Sequence, residues 1–380
     1  MPNIDVSFIF PCLNEEKTIA FCLQELQEVM QNTGINYEII VSDNGSSDKS
    51  VEIANSLGVR VVKTKQRGYG AALKNGFANA AGKYIAFADI DGSYPLEFLP
   101  EMYETAEKNN ADMVVASRMK GKIENGAMPC LHRYLGTPVL TFLINLLFGG
   151  KLSDCNSGFR LMKKSAYEKW NPISNGMEFA SELLIKALKH NAKIVEIPAG
   201  LRVDRRECSP HLNTWKDGMR HLLFILSESP KLFEFAGGIL FLLFSLLFVA
   251  ASFSAPIKIG NVQIFDYHTQ LICISLATIG VQIWLFSATL YLFKVQDVPS
   301  CLSRFFINLE EDKLFFIFCG ILLLMAYCFI SVFMTWSRLD FGSLNMLYSI
   351  LRYVYLISVL GSGALGLLIL HIVKNVVRNR

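Results

Sequence analysis

Tyr84-Ile85-Ala86-Phe87-Ala88-Asp89-Ile90-Asp91-Gly92-Ser93-Tyr94-Pro95 is the stretch on which the fold turns. An apolar run with strand character stops abruptly at two aspartates one residue apart, followed by Gly-Ser and then, after Tyr94, a proline. In an open α/β sheet, ligands bind beyond the carboxyl ends of the strands. Two carboxylates on such an edge make a hard, oxygen-rich site for Mg²⁺ or Mn²⁺, ions that bridge to phosphates. An isolated Asp-x-Asp more often marks a solvated turn, so the surrounding sequence decides.

Working outward, the pattern predicts strands at Ile4–Phe10, Tyr37–Ser42, Val59–Lys63, Lys83–Ala88 and Asp112–Ala116. Helices are predicted between them at Thr18–Met30, Ser50–Leu57, Ala71–Ala80 and Leu96–Lys108. The turn Asp43-Asn44-Gly45-Ser46-Ser47-Asp48 supplies N-cap residues for the second helix, and Gly82 closes the third. Strands alternating with helices at this spacing mean βαβ units and a parallel sheet. Each strand end carries polar groups: Asn14 and Glu15, then Asp43, Lys65 and Arg67, Asp89 and Asp91, and Ser117 and Arg118. In a doubly wound sheet these ends converge on one crevice. Carboxylates near one end and cations near the other suit a metal-bridged diphosphate carrying hydroxyl-rich groups. A dinucleotide site is disfavoured, because Gly-x-Gly-x-x-Gly is absent after the first strand and Gly68-Tyr69-Gly70 follows the third.

The composition divides the chain. Of 380 residues, 52% are hydrophobic and only 18% charged, which is apolar for a soluble protein. The apolar excess lies beyond about residue 230. There, stretches at 233–252, 269–293, 314–335 and 347–373 each reach the roughly 20 residues a hydrocarbon core requires. Leu212, Trp215, Met219, Leu222, Leu223 and Leu226 recur at helical spacing just before them, predicting an amphipathic helix in the membrane interface, with an ordinary core-facing helix as the plainer reading. Tyr134–Phe148 is apolar but short, and reads as a helix packed on the domain or dipping toward the bilayer. Basic residues in the middle connection and in the tail place the soluble region and the C-terminus on the cytoplasmic side. The expected division is therefore 1–210, a cytoplasmic sheet domain; 211–230, the interfacial helix; and 231–380, a multi-pass membrane region. A net charge of +3 is too small to argue for nucleic acid. Nine cysteines without C-x-x-C pairs read as reduced, buried thiols, and His132, His190, His211 and His221 lack metal-ligand spacing. The N-terminus enters a strand at once, so no cleaved signal peptide is expected.

Phe10-Pro11-x-x-Asn14-Glu15-Glu16, Ser42-Asp43-Asn44-Gly45-Ser46-Ser47-Asp48, Gly68-Tyr69-Gly70-Ala71-Ala72 and Asp89-x-Asp91-Gly92 together resemble the family 2 glycosyltransferases of GT-A fold. Asp154-Cys155-Asn156-Ser157-Gly158-Phe159-Arg160 resembles their polyprenyl-phosphate branch, the dolichyl-phosphate mannose or glucose synthases. The resemblance implies an inverting transfer of a hexose from a UDP- or GDP-sugar to undecaprenyl or dolichyl phosphate at a prokaryotic plasma membrane, for cell-envelope or protein glycosylation. It implies that Asn14, Glu15 and Asp43 hold the nucleoside, within a nucleotide-sugar set of Pro11, Asn14, Glu15, Asp43, Lys65, Arg67, Gly68, Asp89, Ile90 and Asp91. Mg²⁺ or Mn²⁺ would sit on Asp89 and Asp91, with Ser93 where that branch often has glutamine. Arg118 and Arg133 would bind the lipid phosphate, with Arg202 a weaker third; for Arg160, Arg205 and Arg206 a surface salt bridge is an equal reading. Glu178 or Glu182 would touch sugar hydroxyls or merely suit a helix dipole. Polysaccharide and sphingolipid glycosyltransferases share the early motifs but usually carry Gln-x-x-Arg-Trp, which none of the four tryptophans occupies. A non-catalytic nucleotide-sugar-binding membrane protein, a product-moving role for the spans and a homo-oligomer stay open.

Overall fold

The computed structural model describes residues 4–206, 214–254, 256–259, 262–294, 297–338 and 347–378. Leu212 and His211, and the side chain of Trp215, lie outside the described residues. The chain forms two compact units, Met1–Leu226 and Ser227–Arg380.

The first unit runs β1 (Val6–Cys12), α1 (Ile19–Gln31), β2 (Tyr37–Asp43), α2 (Ser50–Ser56), β3 (Arg60–Lys63), α3 (Tyr69–Asn79), β4 (Tyr84–Phe87), a 3₁₀ turn at Leu96–Phe98, α4 (Leu99–Asn109) and β5 (Met113–Ser117). It continues through a π-helical turn at His132–Gly136, α5 (Thr137–Phe148), β6 (Arg160–Lys163), α6 (Lys164–Trp170), α7 (Phe179–Lys189), β7 (Ile194–Pro198) and α8 (Thr214–Ser227), whose last residue belongs to the second unit. Seven strands form one sheet in the order β3-β2-β1-β4-β6-β5-β7. All neighbours are parallel except β6, which runs antiparallel between β4 and β5. The β6 strand and helix α6 have no counterpart in the predicted pattern.

Strand alternation explains the two-sided core. Val6, Phe8 and Phe10 of β1, with Tyr84 and Ala86 of β4, pack toward Ile19, Leu23 and Leu26 of α1 and Leu99 and Met102 of α4. Ile9, Ile85 and Phe87 face the other way, onto Leu73 and Phe77 of α3 and Phe179, Leu183 and Leu184 of α7. Burying residues on both strand faces is the signature of a sheet covered by helices on each side. Helix α5 buries Leu140 and Ile144 while exposing Leu135 (in the turn before it), Val139, Phe142 and Leu146. Helix α8 buries Ile225 in the same core as α7 and exposes Met219 and Leu223, so its core-facing side is real.

The second unit contains α9 (Pro230–Phe253), a two-stranded hairpin of β8 (Ile257–Ile259) and β9 (Val262–Ile264), α10 (Tyr267–Tyr291), α11 (Cys301–Ile307), α12 (Glu311–Ser337) and α13 (Leu347–Arg378). Its four long helices are long and apolar enough to cross a membrane. The Glu234 carboxylate accepts from Tyr291 Oη at 2.7 Å and from the hydroxyls of Ser300 and Ser303, which ties α9, α10 and α11 together. Helices α9 and α10 approach closely at Gly237, where an added Cβ would stand 2.5 Å from the Trp284 amide nitrogen and 2.7 Å from the Gly280 carbonyl oxygen. Close backbone approach at small residues is how helices associate where lipid removes the hydrophobic drive. Gly237→Ala is therefore expected to destabilise this unit by about 1–3 kcal/mol. Gly238→Ala, whose Cβ would meet nothing within 4 Å, is the control and should be neutral or mildly stabilising. Thermal unfolding of the two variants in detergent decides; equal shifts would contradict the packing.

Candidate active site

The strand ends open into two cavities. The first, of about 660 Å³, is bounded by the turn after β1 (Pro11 to Glu15), the turn after β2 (Asn44, Gly45, Ser47), the loop after β3 (Arg67, Gly68), the end of β4 (Asp89, Ile90, Asp91) and Arg206. The second, of about 500 Å³, is mostly apolar, with Met128, Leu131, Leu135, Val139 and Leu222 among its walls and Arg118, His132 and Asn156 as polar groups. Tyr69, Asp89 and Met177 line both.

The turns of the first cavity are built by their own polar side chains. Asn14 adopts a left-handed conformation (φ 59°), and its Oδ1 accepts from the Ser47 amide at 2.8 Å. Asn44, not among the expected residues, receives the Gly68 amide on Oδ1 at 2.8 Å and donates from Nδ2 to the Gln66 carbonyl at 2.9 Å. It thereby fixes the loop after β3 against the turn after β2. Asp43 is buried and accepts from the Ser46 amide at 2.9 Å, which spends it on the turn, and it does not line the cavity. Lys65 is exposed and away from both cavities, whereas Arg67 lines the first.

The two aspartates sit at the floor. Tyr69 Oη donates to Asp89 Oδ1 at 3.0 Å. Asp91 Oδ1 accepts from the Ser93 amide at 2.9 Å and hydroxyl at 2.6 Å, so Ser93 shapes the Asp91 carboxylate. Asp91 Oδ2 accepts from Arg206 Nη2 at 2.7 Å, and Arg206 Nη1 also donates to Glu15 Oε1 at 3.1 Å. Burial, then the neighbouring Asp91 charge, pushes the Asp89 carboxyl up to about 6. Burial also pushes Glu15 up to about 7, although Arg206 opposes it. Burial is the largest cause of both shifts. Among the described residues no group of three His, Cys, Asp or Glu side chains could hold a metal ion. A divalent ion shared between two carboxylates and substrate phosphates needs no third protein ligand, so the Asp89–Asp91 pair fits one. Gly158 is required beside it: a Cβ there would lie 2.7 Å from Asp89 Oδ2. Its amide donates to Tyr94 Oη at 2.6 Å.

Arg118 lines the apolar cavity. Its Nε and Nη2 donate to Asp154 Oδ2 and Oδ1 at 2.7 and 2.8 Å, and its amide donates to Asp154 Oδ2 at 3.1 Å. Burial opposes the guanidinium's charge, but Tyr94 and Asp154 beside it more than offset that and raise its pKa. Arg118 and burial lower the pKa of His132, burial being the larger cause. His221, on the same cavity, shares a 2.8 Å hydrogen bond with Ser181.

Several expectations need correction. Arg160 is not a surface salt bridge: it is fully buried and donates to the carbonyls of Ser157, Ala180 and Cys155 at 2.7–2.9 Å. Arg202 does not reach either cavity; its guanidinium is taken by Glu25 at 2.6 Å and by Glu97. Arg133 lines neither of these two cavities, and its guanidinium lies over the Tyr134 ring, 5.5 Å from the centroid. Glu182 cannot touch sugar, because it is buried and caps the amides of Ile173 and Ser174 at 2.9 and 2.8 Å. Glu178 accepts from the Gly176 amide at 3.2 Å. Arg206, by contrast, is a central cavity residue; the pair Arg205-Arg206 after β7 was its only sequence signal.

Comparisons with known proteins give the family. The profile described as Glycosyl transferase family 2 matches residues 7–170. The low-salt glycan biosynthesis hexosyltransferase Agl6 of Haloferax volcanii is 34% identical over 283 residues, 74% of this chain and 67% of that protein. The dolichol-phosphate mannosyltransferase of Pyrococcus furiosus is 32% identical over 203 residues, 51% of this chain and 55% of that protein. The crystal structure of glucosyl-3-phosphoglycerate synthase from Mycobacterium tuberculosis in complex with phosphoglyceric acid aligns with a TM-score of 0.50 at 22% identity, covering 60% of this chain and 80% of that one. That last likeness is one of fold, the GT-A arrangement, and the chain belongs to glycosyl transferase family 2.

Proposed function

We propose that this enzyme transfers a hexosyl group from a UDP- or GDP-sugar to a polyprenyl phosphate. One observation supports the reading above the others: a polar cavity at the strand ends and an apolar cavity holding Arg118 share a wall at Asp89. A water-soluble donor suits the first and a phosphate with a hydrocarbon tail suits the second. The relatives named a hexosyltransferase and a dolichol-phosphate mannosyltransferase accord with it, and the four apolar helices put the acceptor's solvent within the same chain.

In this reading the turns after β1 and β2, with Asn14, Glu15 and Asn44, hold the nucleoside, and Arg67 and Arg206 neutralise the diphosphate. Asp89 and Asp91 would hold a Mg²⁺ or Mn²⁺ ion, which when bound supplies charge for the departing diphosphate. Arg118, oriented by Asp154, receives the acceptor phosphate. A phosphate oxygen is already ionised near neutrality, so no strong general base is required; positioning in line with the scissile bond carries the reaction. The oxygen forms a bond to the anomeric carbon from the face opposite the diphosphate, the carbon–oxygen bond to the diphosphate breaks, and the configuration inverts. The sheet domain and C-terminus face the cytoplasm.

The test is a transfer assay with purified full-length protein, undecaprenyl or dolichyl phosphate, Mn²⁺ and radiolabelled UDP- and GDP-hexoses. Label from one donor should move into the organic phase. Nucleotide binding with no lipid product from any donor would refute the acceptor assignment.

A further inference from the structure

The segment between α6 and α7 is clamped more firmly than a connecting loop requires. Lys74 Nζ donates to the Ile173 carbonyl and to Asn175 Oδ1, both at 2.6 Å. The buried Glu182 carboxylate receives the Ile173 and Ser174 amides. The Asn175 carbonyl accepts from the Ala71 amide at 3.1 Å, which presses the strap onto the first turn of α3. The half-buried residue that this strap presents is Met177, which lines both cavities beside Tyr69 and Asp89.

A group that leaves a donor in one cavity for an acceptor in the other must lie at their common wall during transfer. Of the three residues there, Tyr69 is committed to Asp89 through its hydroxyl. Met177 is left as the side chain free to shape the space, and a thioether chain offers a polarisable apolar surface to a sugar ring. We infer that Met177 contacts the hexosyl ring of the donor and helps set which hexose is accepted, with Lys74 and Glu182 as positioning residues that hold it there. This rests on the hexosyl-transfer reading above.

Isothermal titration of the full-length protein in detergent with Mn²⁺ tests it, using UDP, GDP, UDP-glucose, UDP-galactose and GDP-mannose. Met177→Ala is expected to weaken the bound nucleotide sugar by about three- to tenfold while leaving the matching nucleoside diphosphate within about twofold. Lys74→Met should reproduce that sugar-selective loss, and Lys74→Arg should restore most of it. Equal weakening of sugar and diphosphate by Met177→Ala, or no change in either, overturns the contact. If the wild type binds the diphosphates but none of the sugars, the contact also falls. If the wild type binds none of the five, the hexosyl-transfer reading fails and takes the contact with it.

Discussion

Asp91→Ala is expected to lower transfer by at least about a hundredfold at saturating donor, the scale seen when a charge-stabilising group is removed. The reason is local. Asp91 is buried, one oxygen organises the Ser93 turn, and the other faces Arg206. Alanine removes one of the three carboxylates, Asp91, Glu15 and Asp204, that share Arg206, and one of the two that would hold the ion, so divalent-ion affinity should fall with activity. Asp91→Asn keeps an acceptor for the Ser93 amide but turns an amide NH2 toward Arg206, which retains Glu15 and Asp204 as partners; it should lower the thermal transition less than Asp91→Ala and still lose Mn²⁺ binding, read by electron paramagnetic resonance. Turnover near that of the wild type in Asp91→Ala with Mg²⁺ or Mn²⁺ present would show that these aspartates do not carry the metal.

The second large effect is at Arg118, where stability and activity have to be separated. The Asp154 side chain is 0% exposed and that of Arg118 only 13%. Removing one partner of a buried ion pair strands the other charge and costs about 3–5 kcal/mol. Arg118→Met is therefore expected to lower the unfolding transition and to abolish transfer, which by itself proves nothing about the acceptor. The double variant Arg118→Met/Asp154→Leu replaces both charges with apolar side chains, and such replacement is often neutral for stability. It should recover most of the lost stability while transfer stays at least about a hundredfold down, because on the proposed reading the acceptor phosphate has lost its guanidinium. Recovery of both stability and transfer would make Arg118 a structural residue.

The N-terminal half of the sheet was legible because its strands are long apolar runs ending in polar turns, and every such run from Val6 to Ser117 became a strand. The β6 strand was not, because Gly158-Phe159-Arg160-Leu161 places an arginine where a buried strand is expected to be apolar. Three main-chain carbonyls satisfy that arginine, and no local pattern announces such partners. The same limit governs the site. Asp89 and Asp91 are separated by a single residue in sequence and were visible. Arg206 meets Glu15 across 191 positions, and Met177 lines the same cavities as Tyr69 because the strap between α6 and α7 folds onto α3. Asn44 was hidden differently: it looked like a turn residue, is one, and lines the cavity for that reason.

The placement of β6 has a consequence for how the chain is made. Strands β3, β2, β1 and β4 are complete once residue 87 has been synthesised, yet the open edge of β4 pairs with β6, which ends at residue 163. Throughout that interval Tyr84 to Phe87, wholly buried in the finished domain, would present an unpaired apolar edge, the kind of surface that recruits strands from other chains. A nascent chain released between residues 91 and 163 thus carries Asp89 and Asp91 on an unsealed sheet, and its fate would be set by aggregation or holding factors before any chemistry can begin.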